Sequence, residues 1–215
     1  VHPPYATFIT LNTKLIPVPL RPEIQLYLTE DTTDLWQKAQ IAFHSADLPL
    51  PFWASAWAGG QALARYILDH PDVVAGKRVL DFASGSGLLA IAAAKAGAAH
   101  VDANDIDPFA FEAMALNADA NQANLHRLSG NIVGCEPNWD VVLAGDISYE
   151  RDMAACITQW LERLHTKGVH VLIGDPGRTY LPRDKLHSLA RYDVPVPKSL
   201  EDCEIKATDV WCFKD

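Results

Sequence analysis

The stretch that most restricts the fold is Arg78-Val79-Leu80-Asp81-Phe82-Ala83-Ser84-Gly85-Ser86-Gly87, followed at once by residues 88–96, which are apolar almost throughout. A strand-length apolar run, a glycine turn and a helix apolar on every side form the opening unit of a parallel α/β sheet. Glycine supplies the backbone freedom that the strand-to-helix turn needs, and the apolar helix must be buried. The alternation then continues. Residues 100–104, 125–129, 140–144 and 169–173 read as further short strands. Between them, residues 108–121 form a helix with Asp107 as N-cap and Pro108 at the first helical position, where its missing N–H does no harm. Met153, Cys156, Ile157, Trp160, Leu161 and Leu164 fall at helical spacing and predict another. Residues 192–196 and 205–213 look like two strands joined by a Pro-containing loop too short for a crossover helix, so the sheet should end in an antiparallel pair. The fold expected is a Rossmann-like, doubly wound α/β sheet of seven strands, mostly parallel with an antiparallel C-terminal pair.

Ahead of this unit the composition changes. Pro3, Pro4, Pro17, Pro19, Pro22, Pro49 and Pro51 punctuate the first fifty residues, with extended-looking segments at 7–11 and 24–28. We read residues 1–55 as an N-terminal extension, a hairpin with a short helix near 33–39, packing on a main domain of residues 56–215. That domain opens with a helix over 56–70 carrying Leu63, Tyr66 and Ile67 on one face.

Bulk properties narrow the function classes. With 215 residues and 49% hydrophobic composition, one full core can be buried. No apolar run approaches the roughly 20 residues that cross a bilayer, and no export or transit signal is visible, so neither a membrane nor secretion is expected. A formal charge of −9 without a Lys/Arg run disfavours nucleic acid as a partner. Four scattered cysteines, Cys135, Cys156, Cys203 and Cys212, read as reduced thiols of an intracellular monomer. A bacterial-type cytoplasm is the expected compartment, or a mitochondrial matrix if a presequence has been removed. The eight histidines show no paired metal spacing, so no metal is expected.

The chemistry gathers at the ends of the strands. Small residues from Ala83 to Gly87 present backbone to a ligand at a helix N-terminus, and Asp105, about twenty residues on, stands where an acid can bind ribose hydroxyls. Gly85-Ser86-Gly87-Leu88-Leu89-Ala90 also fits the dinucleotide fingerprint, so an NAD-dependent oxidoreductase is the rival reading. Against it stands Asp81, whose carboxylate would face a pyrophosphate. A ligand with ammonium and sulfonium groups, such as S-adenosylmethionine, has the opposite preference. A non-catalytic cofactor-binding module is a third possibility.

These features resemble the seven-strand class I methyltransferases over residues 56–215. Four further stretches are similar to the lysine methyltransferases of the electron transfer flavoprotein β subunit: 53–63 (WASAWAGGQAL), 103–108 (ANDIDP), 145–149 (GDISY) and 173–178 (IGDPGR). The resemblance implies an S-adenosylmethionine-dependent protein-lysine N-methyltransferase with that flavoprotein subunit as substrate. Other substrates of the same chemistry are a ribosomal protein or a small amine. It implies that Asp81 lies near the methionine ammonium, that Ser84, Gly85 and Gly87 line that moiety, and that Asp105 takes the ribose. It likewise places Asn131 at the adenine edge and Trp57 over the cofactor. Asp146 and Tyr149 would hold the target lysine, whose neutral amine must sit on axis about 3 to 3.5 Å from the methyl carbon. The carboxylate grips the arriving ammonium and the ring face holds the stem. A bare anion raises the lysine pKa, so Asp146 is read as positioning rather than as the base, with the proton lost to water. The alternative for Asp146 is an N-cap of the helix starting near Glu150. Asp175 and Arg178 would shape the protein-substrate groove, with Arg178 pairing to an acidic group, or else belong to a plain turn. One departure is Ala83, where the family's loop usually opens with Gly; a left-handed backbone there costs Ala about 1 kcal/mol or more.

Overall fold

A computed structural model describes residues 4–136, 138–197 and 203–214. In chain order it contains α1 (Tyr5–Asn12), β1 (Lys14–Val18), β2 (Arg21–Leu28), α2 (Thr32–Phe43), α3 (Ala58–Asp69), β3 (Arg78–Phe82), α4 (Leu88–Lys95), β4 (His100–Asp105) and α5 (Pro108–Ala120). These are followed by β5 (His126–Ser129), β6 (Val141–Gly145), α6 (Arg151–Thr166), β7 (His170–Asp175), β8 (Leu186–Pro195) and β9 (Ile205–Phe213). Seven strands form one sheet in the order β5-β4-β3-β6-β7-β9-β8. The first five are mutually parallel, and β9 runs antiparallel to both β7 and β8. The chain moves outward from β3 to β5 and returns to β6, so a ligand crevice is expected above the carboxyl ends of β3 and β6, where the winding reverses.

Two apolar layers sandwich the sheet. On one face α3 and α4 bury Leu63, Ile67, Leu88, Leu89 and Ile91; on the other Trp160, Leu161 and Leu164 of α6 pack with Trp139 and Phe82. The expected caps are present at α5, where Asp107 Oδ1 accepts from Phe109 N at 2.8 Å. Cys156, grouped by spacing with the apolar stripe of α6, is exposed. The terminal antiparallel pair is longer than its apolar stretch indicated, starting at Leu186, and the loop expected within it lies partly outside the described residues. No helix among the described residues is long and apolar enough to cross a membrane.

The N-terminal residues hold one correction. Segment 7–11 is not extended but lies in α1, and β1 supplies the first strand of the hairpin with β2. Local propensity loses here to tertiary packing: Phe8 and Ile9 sit in an aromatic cluster with Phe43 and Phe109, with Phe8 5.5 Å from Phe43 and 5.8 Å from Phe109. The free edge of β2 is met by side chains of α5 and of its C-cap. Asn121 exchanges bonds with Gln25, its Oδ1 accepting from Gln25 N at 3.0 Å and its Nδ2 donating to Gln25 O at 2.6 Å. Asn117 Oδ1 accepts from Tyr27 N at 2.8 Å, while its Nδ2 donates to Ser86 O at 2.7 Å. One asparagine thus ties the hairpin to the glycine loop.

Candidate active site

At the end of β3, Asp81 is buried. Its Oδ2 accepts from the Ser84 hydroxyl and from Ala90 N at 2.9 Å, whereas Oδ1 is buried with no hydrogen-bond partner among the described residues. Burial pushes the carboxyl up to about 7; the nearby Asp105 adds to that, and the two donors pull back only in part. The loop that follows is tightly built. Ala83, Gly85 and Gly87 have φ of 53°, 54° and 84°, so Ala83 does occupy the left-handed region that favours glycine. Gly85 N donates to Asp105 Oδ2 at 2.8 Å and Asp107 N to Asp105 Oδ1 at 3.0 Å. Each carboxylate oxygen has two lone pairs, so Asp105 can still accept two hydroxyl protons. Burial raises its pKa, against those backbone donors. Asn131, after β5, is exposed, with its Oδ1 accepting from Val133 N at 2.9 Å in an Asx turn. Asn104 braces this loop, its Nδ2 donating to Leu128 O and Gly130 O at 2.9 Å each.

The ends of β6 and β7 are organised differently. Asp146, also left-handed at φ 54°, accepts at Oδ1 from both Nε and Nη2 of Arg178, at 3.2 and 2.8 Å, and at Oδ2 from Gly60 N at 3.0 Å. It does not cap α6, whose N-cap is Glu150; it satisfies the first turn of α3 instead. Burial pushes Asp146 up to about 6, with the Arg178 charge pulling down and Asp175 pushing up. The acid that Arg178 pairs with therefore belongs to its own chain. Asp175 is fully buried, and its Oδ1 accepts from Gly177 N and Arg178 N, both at 2.7 Å. Oδ2 makes no hydrogen bond of good geometry, and burial holds this carboxyl up too, with Ser148 among the groups that moderate it.

Glycines permit this arrangement. A Cβ on Gly59 would stand 2.0 Å from Gly174 O, and one on Gly174 2.0 Å from Gly59 O, so α3 meets β7 backbone to backbone. A Cβ on Gly145 would come within 3.1 Å of the Gly60 backbone. These contacts place Gly60 N at Asp146 and Trp57, the N-cap residue of α3, beside Arg178. The guanidinium carbon lies 5.7 Å from the Trp57 ring centroid. Trp57 Nε1 donates to Phe52 O at 2.8 Å, and the Phe52 ring bridges Trp57 at 5.8 Å and Tyr149 at 5.6 Å. Phe52 and Tyr149 are 44% and 52% exposed, so an aromatic rim opens to solvent above a buried ion pair.

The structure thus gathers Asp81 of β3 and Asp105 of β4 around the loop that carries Ser84, Gly85 and Gly87, joins Asp146, Arg178 and Trp57 directly, and links Tyr149 to them through Phe52. Phe52 and the four close-contact glycines carry no role in the sequence reading. Gly59-Gly60 stands out in the sequence as a helix start without helix formers, but its partners lie more than eighty residues away.

The profile of the ribosomal protein L11 methyltransferase (PrmA) family matches residues 61–173. The human electron transfer flavoprotein beta subunit lysine methyltransferase is 41% identical over 223 residues, covering 100% of this chain and 84% of that protein. The chain belongs to this lysine methyltransferase family. Solved structures share the fold: a ribosomal protein L11 methylase from Lactobacillus delbrueckii subsp. bulgaricus at TM-score 0.51 and 19% identity, covering 73% of this chain and 79% of that one. A magnesium protoporphyrin IX methyltransferase from Synechocystis with bound SAM has TM-score 0.54 and 13% identity, covering 72% and 78%. The family member is a class I methyltransferase whose cofactor is S-adenosylmethionine, and the dinucleotide reading of the loop is set aside. The residues fit that cofactor. The orphaned, buried Asp81 Oδ1 is a poor neighbour for a pyrophosphate and a good one for an ammonium.

Proposed function

We propose that this methyltransferase methylates a lysine side chain of an electron transfer flavoprotein β subunit. The observation that carries the substrate is the 41% identity, over the whole chain, to a protein named for that activity. Asp81 Oδ1 receives the ammonium of the cofactor's methionine end, lined by Ser84, Gly85 and Gly87. Asp105 accepts the ribose hydroxyls, Asn131 meets the adenine edge, and Trp57 covers the site. When bound, S-adenosylmethionine supplies a methyl group on an electrophilic sulfonium.

The chain's own residues prepare the amine. Phe52, Trp57 and Tyr149 hold the alkyl stem and exclude water from it. Asp146 retains one lone pair on Oδ2 beyond the Gly60 bond, enough to orient the nitrogen. Because Arg178 already balances its charge, the pair does not hold the proton on the lysine as a bare carboxylate would, and the proton leaves to water. Asp175 fixes Arg178 through the turn, shaping the groove from beneath. A chain of charge −9 also draws a lysine-bearing partner, and cysteines not joined by any disulfide among the described residues suit a reducing compartment such as the cytoplasm.

The test is incubation with methyl-labelled S-adenosylmethionine, a flavoprotein β subunit and, separately, ribosomal protein L11, with mass-spectrometric location of the label. Label on a lysine of the flavoprotein subunit is expected. Label confined to L11, or to residues other than lysine, overturns the proposal.

A further inference from the structure

At the amino-terminal end of the sheet, opposite the glycine loop, three side chains converge for which the methyl transfer has no use. His100 and Asp102 are two residues apart on β4, and His126 on β5 is the register partner of Asp102, so the pleat puts all three on one face. His100 Nε2 and His126 Nδ1 stand 2.9 and 2.6 Å from the same atom, Asp102 Oδ1. The three donor atoms lie within 4.8 Å of one another. Asp102 is 6% exposed, and its ion-pair partners among the described residues are these two imidazoles. Its other oxygen accepts from the buried Trp139 Nε1 at 2.8 Å, which fixes the carboxylate as outer-shell donors do around metals. The imidazoles keep access to solvent, and a cavity of about 400 Å³ opens beside them, lined by Lys95, Gln122 and Asn124 among others.

We infer that His100, Asp102 and His126 form a binding site for one divalent transition-metal ion of the zinc type. Two imidazoles and a carboxylate are a zinc donor set, with the remaining position open to water from the cavity; calcium and magnesium prefer oxygen alone. Ligand atoms around a tetrahedral zinc are roughly 3.3 Å apart, so the rings need to retreat from Asp102 by roughly half an ångström. Both rings are solvent-accessible enough to do so, while Asp102 is anchored. The ion would staple β5, a four-residue edge strand, to β4. Asp105 lies three residues, or roughly 10 Å, further along β4 at the opposite end of the strand, so the ion would sit outside the reacting centre.

Calorimetric titration of the chelator-treated full chain with zinc chloride tests this. One saturable site is expected, weakened by about tenfold or more in both His126→Ala and His100→Ala, and unchanged in His187→Ala. At a free zinc concentration about 100 times Kd, Tm should rise by roughly 5 °C or more in the wild type and by much less in the two ligand variants. Cobalt in place of zinc should give visible d–d bands without a thiolate charge-transfer band. The absence of a saturable site, binding that survives loss of either His100 or His126, or a thiolate band from the cysteines overturns the inference.

Discussion

Asp81 and Asp146 close neighbouring strands at the same edge of one sheet, and burial raises both, to about 7 and about 6. Their partners differ. Asp146 is held by a two-nitrogen guanidinium contact and a helix N–H, all from its own chain. Among the described residues Asp81 has a hydroxyl and one amide, with one oxygen left without a hydrogen-bond partner. The half of the edge over β6 and β7 is finished by folding, whereas the half over β3 keeps one buried carboxylate oxygen that, on the proposed function, the cofactor's ammonium would complete. On the proposed function the finished half would orient a visiting amine without reorganising, which is where preorganised electrostatics contribute most.

Disturbing the finished half should have the largest effect. Gly174→Ala drives a methyl group into Gly59 O and forces α3 off β7, with an expected loss of about 3 kcal/mol or more in urea unfolding and loss of methylation. Arg178→Gln leaves Asp146 buried without its counter-charge. The Arg178 side chain is 19% exposed, so the expected loss lies below the full range for a broken buried pair, at roughly 2 kcal/mol, with a lower turnover that the pH–rate profile should show shifted.

On the open half, Asp81→Asn should weaken S-adenosylmethionine binding by roughly 30-fold in calorimetry, the worth of one charge-assisted bond. The pH dependence follows with its sign. A carboxyl whose folded pKa is raised to about 7 contributes stability below its unfolded value, near 3.8, and loses it as pH rises through 7. The ligand-free protein should therefore lose Tm from pH 5 to pH 8, with Asp146 acting in the same direction. Cofactor affinity should instead increase over that range, by up to about tenfold per unit below pH 7, because the ammonium selects the ionised form. Asp81→Asn should flatten both trends. The smallest effect is Ala83→Gly, expected to stabilise by about 0.5 kcal/mol, since relief at φ 53° is partly offset by glycine's larger unfolded-state freedom.

The α/β alternation from Arg78 onward was readable because its signals are local: apolar runs of strand length, Asp107-Pro108 at a helix start, a stripe at helical spacing in α6. The grouping of Asp81, the glycines and Asp105 was readable for the same reason, since Asp81 and the glycines are contiguous and Asp105 follows one strand later. Segment 7–11 was misread because its β-branched residues suggested a strand, whereas Phe43 and Phe109 from elsewhere in the chain decided for a helix. Asp146 with Arg178 was out of reach of spacing rules. The two lie 32 residues apart and meet only because β6 and β7 are neighbours and Gly59 and Gly174 let α3 settle against them. His126 facing Asp102 was likewise invisible, since a pairing between parallel strands leaves no short-range spacing to count.

The division between the two halves is tested most directly by measuring cofactor affinity and single-turnover methylation at saturating S-adenosylmethionine in Asp81→Asn and Asp146→Asn side by side. Asp81→Asn should lose affinity yet methylate near the wild-type rate once saturated, while Asp146→Asn should keep its affinity within about threefold and lose about a hundredfold in turnover. The reverse pattern, with Asp146→Asn unable to bind cofactor but normal in turnover when saturated, would contradict it.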